Sequence, residues 1–332
     1  MTNIILDRVI SVTLITTFFC SIISGQFIMG KLSKLTDIEI ILKGFDGLDN
    51  YHISCAQINS TGHFKLKFSE KDYGLGYLIA ADEKPFFLIL NGENIEIIGE
   101  SLSNPQTIST TQGQENRWLQ QYAKEHPRRE QALNAWTYLE KLYTSDSLFS
   151  VHHKVKPSIQ NEINRLHDED AAFLERLPED SYVRWYLPVR KLISSVPVIA
   201  QFRSEEIPPT LEAFRKLDYA DPRLYKSGLL KDAIDGHFWM IENSGRSLDS
   251  VTIAMQRSID AMMEYLVKDE EKLNEVTGYL FKLLERRSLV EVSEYLALKI
   301  LNEVSCTIES DLAKQLESYR AIKIGNIAPD FV

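Results

Sequence analysis

One feature narrows the fold more than any other: the hydrophobic period changes part-way along the chain. From about residue 36 to 100 apolar residues recur every second position. Ile38, Ile40 and Leu42 share a face, as do Tyr51, Ile53 and Cys55, then Phe64, Leu66 and Phe68, then Tyr77, Ile79 and Ala81. Alternation of this kind marks half-buried strands. Beyond residue 117 the step becomes three and four. Val251, Met255, Ile259, Met262 and Leu266 form one stripe; Leu273, Val276, Leu280 and Leu283 a second; Val292, Leu296 and Ile300 a third. Each places an apolar face on one side of a helix. The polar stretch "SLSNPQTISTTQGQEN", residues 101–116, separates the two regimes.

Turn residues punctuate the first part. Asn59-Ser60-Thr61-Gly62 predicts a hairpin turn, Gly44 and Gly47 with Asp46 and Asp49 another, and Asn91-Gly92 a two-residue hairpin between "PFFLIL" and "ENIEIIG". About six short antiparallel strands in a small sandwich or open barrel are expected. In the second part, Trp118, Leu119, Tyr122, Leu133, Trp136, Leu139 and Leu142 predict a helical pair interrupted near Pro127. Pro157, Pro178, Pro188, Pro197 and Pro208-Pro209 predict short helices in the middle. The fold class is therefore α+β, an antiparallel β-sandwich or barrel over 26–105 followed by an α-helical domain over 106–320.

Residues 1–25 have the shape of a secretory signal: Arg8, an apolar run from Val9 to Ile23, then Ser24-Gly25. Export to the periplasm or cell envelope is the expectation, with membrane association through this segment as a further route. The run is shorter than the roughly 20 residues a spanning helix needs. A net charge of −10 argues against a nucleic-acid partner.

The three cysteines, Cys20, Cys55 and Cys306, form no C-x-x-C pair. Cys55 and Cys306 read as small apolar residues, and a disulfide between them stays open. No phosphate-binding loop, dinucleotide fingerprint, nucleophile elbow or H-E-x-x-H occurs. His52 and His63 are predicted on adjacent strands, about six rungs and on the order of 20 Å apart, too far to share an ion. His152 and His153 diverge. His167-Asp168-Glu169-Asp170 reads as a solvated helix face. Tyr219, Tyr225, His237, Phe238 and Trp239 read first as core packing, with pocket lining as the alternative. Met262-Met263 reads as core. No catalytic, metal-binding or cofactor-binding residue is assigned.

The last residues are Ile324-Gly325-Asn326-Ile327-Ala328-Pro329-Asp330-Phe331-Val332. Fixing Gly, Ala, Pro, Asp and Phe at this spacing has a chance of about 10⁻⁶ per position at average usage. Ile324, Gly325, Ala328, Pro329, Asp330 and Phe331 resemble the opening segment of the redoxin family, thioredoxin-like thiol:disulfide oxidoreductases and peroxiredoxins. "INSTGHFKLKF", "PFFLILNGENIEIIG", "LLKDAIDGHF" and "KLLERRSLVEVSEYLALKIL" are similar to the upstream parts of exported thioredoxin-like proteins that carry a β domain of unknown function. The resemblance implies that 321–332 begin a thioredoxin-like domain whose reactive C-x-x-C lies beyond Val332. It implies no catalytic residue here. The implied role is a non-catalytic region that positions the redox domain or binds its protein partner. The alternative is a stand-alone exported scaffold without redox activity.

Overall fold

The computed structural model describes residues 25–81 and 83–303. The signal-like segment, Cys20, Cys306 and the redoxin-like tail lie outside the described residues. The described chain is α+β, as the change of period implies. Its strands are β1 (Gln26–Leu32), β2 (Glu39–Asp46), β3 (Asp49–Gln57), β4 (His63–Phe68), β5 (Gly74–Ala80), β6 (Phe86–Leu90), β7 (Ile95–Gly99) and β8 (Ser109–Gln112). Two four-stranded sheets result, β4-β1-β7-β8 and β3-β2-β5-β6. All pairings are antiparallel except β1 with β7. Their inner faces enclose a core that includes Ile28, Ile40, Leu42, Leu66, Leu78, Leu88, Ile95 and Ile97.

The turn at Asp46–Asp49 forms as expected, with Gly47 at φ +59 as the first residue of the two-residue loop. The other two predicted hairpins do not form. β3 and β4 belong to different sheets, and so do β6 and β7. The reason is core filling. Leu88 and Leu90 of β6 and Ile95 and Ile97 of β7 enter the same core, from opposite sheets. Residues 91–94 therefore carry the chain across the sandwich. Asn91 Oδ1 accepts from Glu93 N at 3.0 Å, and Asn94 Oδ1 accepts from Phe27 N at 2.9 Å. β8 lies inside the polar stretch 101–116 and pairs with β7, so the sheet continues past residue 105.

The helices are α1 (Gln114–Ser145), α2 (Lys156–Glu175), α3 (Tyr182–Phe202), α4 (Ile207–Arg215), α5 (Pro222–Tyr225), α6 (Leu230–Glu242), α7 (Leu248–Leu266), α8 (Glu270–Arg286) and α9 (Val290–Glu303). Pro127 does not split α1, nor do Pro188 and Pro197 split α3. In α3 the buried stripe continues on both sides of its prolines: Val183, Tyr186 and Leu187 precede Pro188, and Val196 and Ile199 flank Pro197, while in α1 a half-buried face of His126, Arg129 and Leu133 runs through Pro127. Packing outweighs the hydrogen bond that each proline removes. Pro157 and Pro208-Pro209 instead sit in first turns, where a missing N–H costs nothing. No described helix is long and apolar enough to cross a membrane.

α1 locks the two sheets to the helices. β6 and β8 are edge strands, whose free N–H and C=O groups need partners. Asn116, buried, accepts from Ile89 N at 2.8 Å and donates to Ile89 O at 2.8 Å. One turn on, Gln120 accepts from Thr110 N at 3.1 Å and donates to Ile108 O. Each amide stands in for a further strand. The outer side of β5–β6 is also covered: Leu75 and Ile89 join the helical core with Phe214, Tyr219, Phe238 and Phe281.

Candidate functional site

A cleft of about 780 Å³ opens where the β2–β3 turn meets α5 and the start of α8. Three backbone and side-chain links fix its geometry. Gly47 N donates to Tyr225 O at 3.0 Å, and Leu75 N donates to Lys226 O at 2.7 Å. Leu48 N donates to Glu275 Oε1 at 2.8 Å. Both glycines at these contacts are required. A Cβ on Gly47 would lie 2.1 Å from Glu275 Oε1, and one on Gly74 would lie 2.4 Å from Lys226 O. Gly74 also sits at φ +138, open to glycine but to few other residues.

Asp46 and Asp49 line the cleft from the sandwich, Glu271 and Glu275 from α8. Two lysines oppose these four carboxylates, and both are engaged. Lys226 Nζ is 2.8 Å from Asp46 Oδ1 and lies over the Tyr51 ring. Lys272 Nζ donates to Ala220 O at 2.7 Å, lies 3.2 Å from Asp269, and covers the Tyr225 ring. Burial pushes the Glu275 carboxyl up; the Leu48 N–H opposes this, and the charges of Asp46, Asp49 and Glu271 add to it. Tyr51 is pushed far up by burial and by Asp72, to which its hydroxyl donates at 3.0 Å.

Two polar atoms in this cleft are buried without a partner among the described residues: Tyr225 Oη and Asn274 Oδ1. Tyr225 as a whole is only 6% exposed. A buried hydroxyl without a hydrogen bond costs on the order of 1–3 kcal/mol, which a bound group would recover.

A second polar cluster joins α1, α2 and α3. Asp170 Oδ1 accepts from Arg129 Nε at 2.6 Å, and Asp170 Oδ2 lies 2.8 Å from His126 Nδ1 and 3.6 Å from Lys191 Nζ. His126 stacks on Tyr122, ring centroids 4.5 Å apart. Burial works to raise the Asp170 pKa, but hydrogen bonds to His126 and Arg129, and the charges of His126 and Lys191, outweigh it and pull it down to about 2. His126, Glu130 and Asp170 offer ligand atoms within 4.8 Å of one another. Arg129 and Lys191 already occupy the carboxylates, so a cation would have to displace two others. The cluster is an interhelical ion network.

The residues singled out from sequence fall as follows. His52 and His63 are exposed on different sheets; His152 and His153 are exposed before α2. His167, Asp168 and Glu169 face solvent, but Asp170 turns inward to the network just described. Tyr219, His237, Phe238, Met262 and Met263 are core. His237 is fully buried, its Nδ1 3.1 Å from Tyr219 Oη, and burial followed by the Arg215 charge pushes its pKa down to about 3. Tyr225 and Trp239 line two separate clefts. Cys55 is exposed rather than packed as a small apolar residue. The register shifts between Leu42 and Lys43, leaving Cys55 opposite half-buried Ile41 instead of in the sandwich core. Partial desolvation, then Glu39, push its thiol up.

The sequence reading missed Asp46, Asp49, Glu271, Asn274 and Glu275 as a group. The Asp46-Gly47-Leu48-Asp49 turn was its visible half; the other half lies 227 residues away, as the Leu48–Glu275 bond shows. Comparison with known proteins finds no matching family model, no matching curated protein and no matching solved structure.

Proposed function

We propose that the sandwich and helices form the non-catalytic, partner-binding and positioning region of an exported thioredoxin-like thiol:disulfide oxidoreductase. The binding half of this reading is carried by the junction cleft, where a buried tyrosine hydroxyl and an unbalanced set of carboxylates await a ligand. The redox half is supported by the likeness of Ile324-Gly325 and Ala328-Pro329-Asp330-Phe331 to the redoxin opening segment. Cys55 suits a bystander role: thiol–disulfide exchange needs a thiolate, and this thiol is pushed up.

Two experiments test the halves separately. The chain by itself is expected not to reduce an insulin-type disulfide substrate; turnover abolished by Cys55→Ser or Cys306→Ser would overturn the non-catalytic assignment. Reading the gene past Val332 is expected to reveal a C-x-x-C stretch within one domain length, and unrelated sequence there would remove the redox half. For the binding half, Asn274→Trp fills the cleft from α8. It is expected to abolish chemical cross-linking to envelope proteins while leaving the melting temperature within a few degrees; cross-linking unchanged by the substitution would move the partner site elsewhere.

A further inference from the structure

The charge and hydrogen-bond inventory of the cleft defines what it can hold. Four carboxylates face two lysines. One lysine is neutralised by Asp46 and the other is tied to Ala220 O and Asp269. The site is therefore short of positive charge. An anion would meet net repulsion, and an apolar ligand would strand the carboxylates. A single metal ion does not fit either. Among the described residues, the group of three ligand side chains with atoms within 4.8 Å is His126, Glu130 and Asp170, so the cleft carboxylates do not converge on one point. The space, about 780 Å³, suits a ligand that spreads its charge.

The orphan atoms add a second requirement. Tyr225 Oη has a proton to donate, and Asn274 Oδ1 needs a donor. A protonated polyamine supplies donors only. A polypeptide backbone supplies both a C=O and an N–H, and a lysine or arginine side chain supplies the cation.

We propose that this cleft binds an extended basic polypeptide segment, its ammonium or guanidinium group held among Asp49, Glu271 and Glu275 and its backbone bonded to Tyr225 and Asn274. The inference rests on the partner-binding reading and names the chemistry of that partner. Binding such a segment relieves the crowding of like charge around Glu275, whose carboxyl is already pushed up. Asp269 caps α8 through Lys272 N at 3.2 Å, so the helix end is satisfied without the ligand.

The test is calorimetric titration of the whole chain with tetralysine amide at low salt, alongside spermidine and tetraglutamate. Tetralysine is expected to bind. Removing two charges with Asp49→Asn plus Glu271→Gln is expected to weaken it about tenfold, and Tyr225→Phe about threefold to fivefold, in line with one charge-assisted contact and one neutral hydrogen bond. All three residues can be replaced without opening a cavity, and circular dichroism of the variants checks the fold. No binding of tetralysine, or binding indifferent to these substitutions, overturns the proposal, since the latter would mean diffuse attraction to an acidic protein. Tetraglutamate binding as tightly would also overturn it. Spermidine matching tetralysine and losing the same affinity in Tyr225→Phe would overturn the polypeptide source. Failure here with cross-linking still blocked by Asn274→Trp leaves the partner-binding reading standing with a different ligand.

Discussion

The molecule contains two clusters of charge, and they are built differently. The network of His126, Arg129, Asp170, Glu125, Glu130 and Lys191 pairs cations with carboxylates on three helices. Its one orphan atom, Arg129 Nη2, belongs to a side chain whose Nε and Nη1 are already held. The junction cleft has four carboxylates against two engaged lysines, and its orphans are Tyr225 Oη and Asn274 Oδ1. A closed network stabilises the apo protein. An open one costs stability until something closes it. Charge alone does not distinguish a site from a strut; the balance of cations against carboxylates, and whether the unpartnered atom belongs to a side chain already held, do.

That contrast is best broken by removing one member from each cluster. Asp170→Ala leaves Arg129, only 14% exposed, without its buried carboxylate. The expected loss is about 3 kcal/mol in urea unfolding. A loss below about 1 kcal/mol would place this network among ordinary surface pairs. Acid titration sharpens the same contrast. The folded pKa of Asp170 is depressed to about 2, so its contribution is full above pH ~4 and lost as pH falls through 2, on the order of 2 kcal/mol. Glu275 runs the other way. Its folded pKa is raised, so its contribution is full below its unfolded value and lost as pH rises through the folded one. Asp170→Asn should flatten the acid limb of a stability–pH curve, and Glu275→Gln the loss of stability as pH rises above it; coincident curves for the two variants would erase the distinction. The smallest effect is the most telling. Tyr225→Phe removes a buried hydroxyl that bonds to nothing described, so stability should be unchanged or rise by up to about 1 kcal/mol. A clear loss would show that Tyr225 Oη is already satisfied in the free protein.

How much of this was legible in the sequence depends on whether a segment has one buried face or two. The stripes of α7 and α8 were read correctly because each faces solvent on its other side: Val251, Met255, Ile259, Met262 and Leu266 are all buried. β5 was read one residue out of phase. Tyr77 and Ile79 are half-buried, while Leu78 and Ala80 are fully buried. Helices cover the outer side of this sheet, so "GLGYLIA" has no polar half to set the phase. The crossings at 59–62 and 91–94 looked like hairpins because turn chemistry is local and sheet membership is not. α1 was expected to break at Pro127, yet Tyr122, His126, Arg129 and Leu133 continue one face through it by steps of four, three and four. The cleft was out of reach for a different reason. Its carboxylates come from segments that topology alone brings together, and nothing near Glu275 in sequence announces Leu48.

The two amides of α1 have a consequence for how this module can be moved between proteins. Asn116 and Gln120 occupy the bare margins of β6 and β8, and they belong to the chain just after the last strand. A gene fragment ending at Gln112 would encode all eight described strands yet leave both margins open to recruit strands from neighbouring molecules. A transplantable form of the sandwich therefore has to carry the start of α1 for these two margins, and with it the helices that cover Leu75 and Ile89 on the outer side of β5–β6.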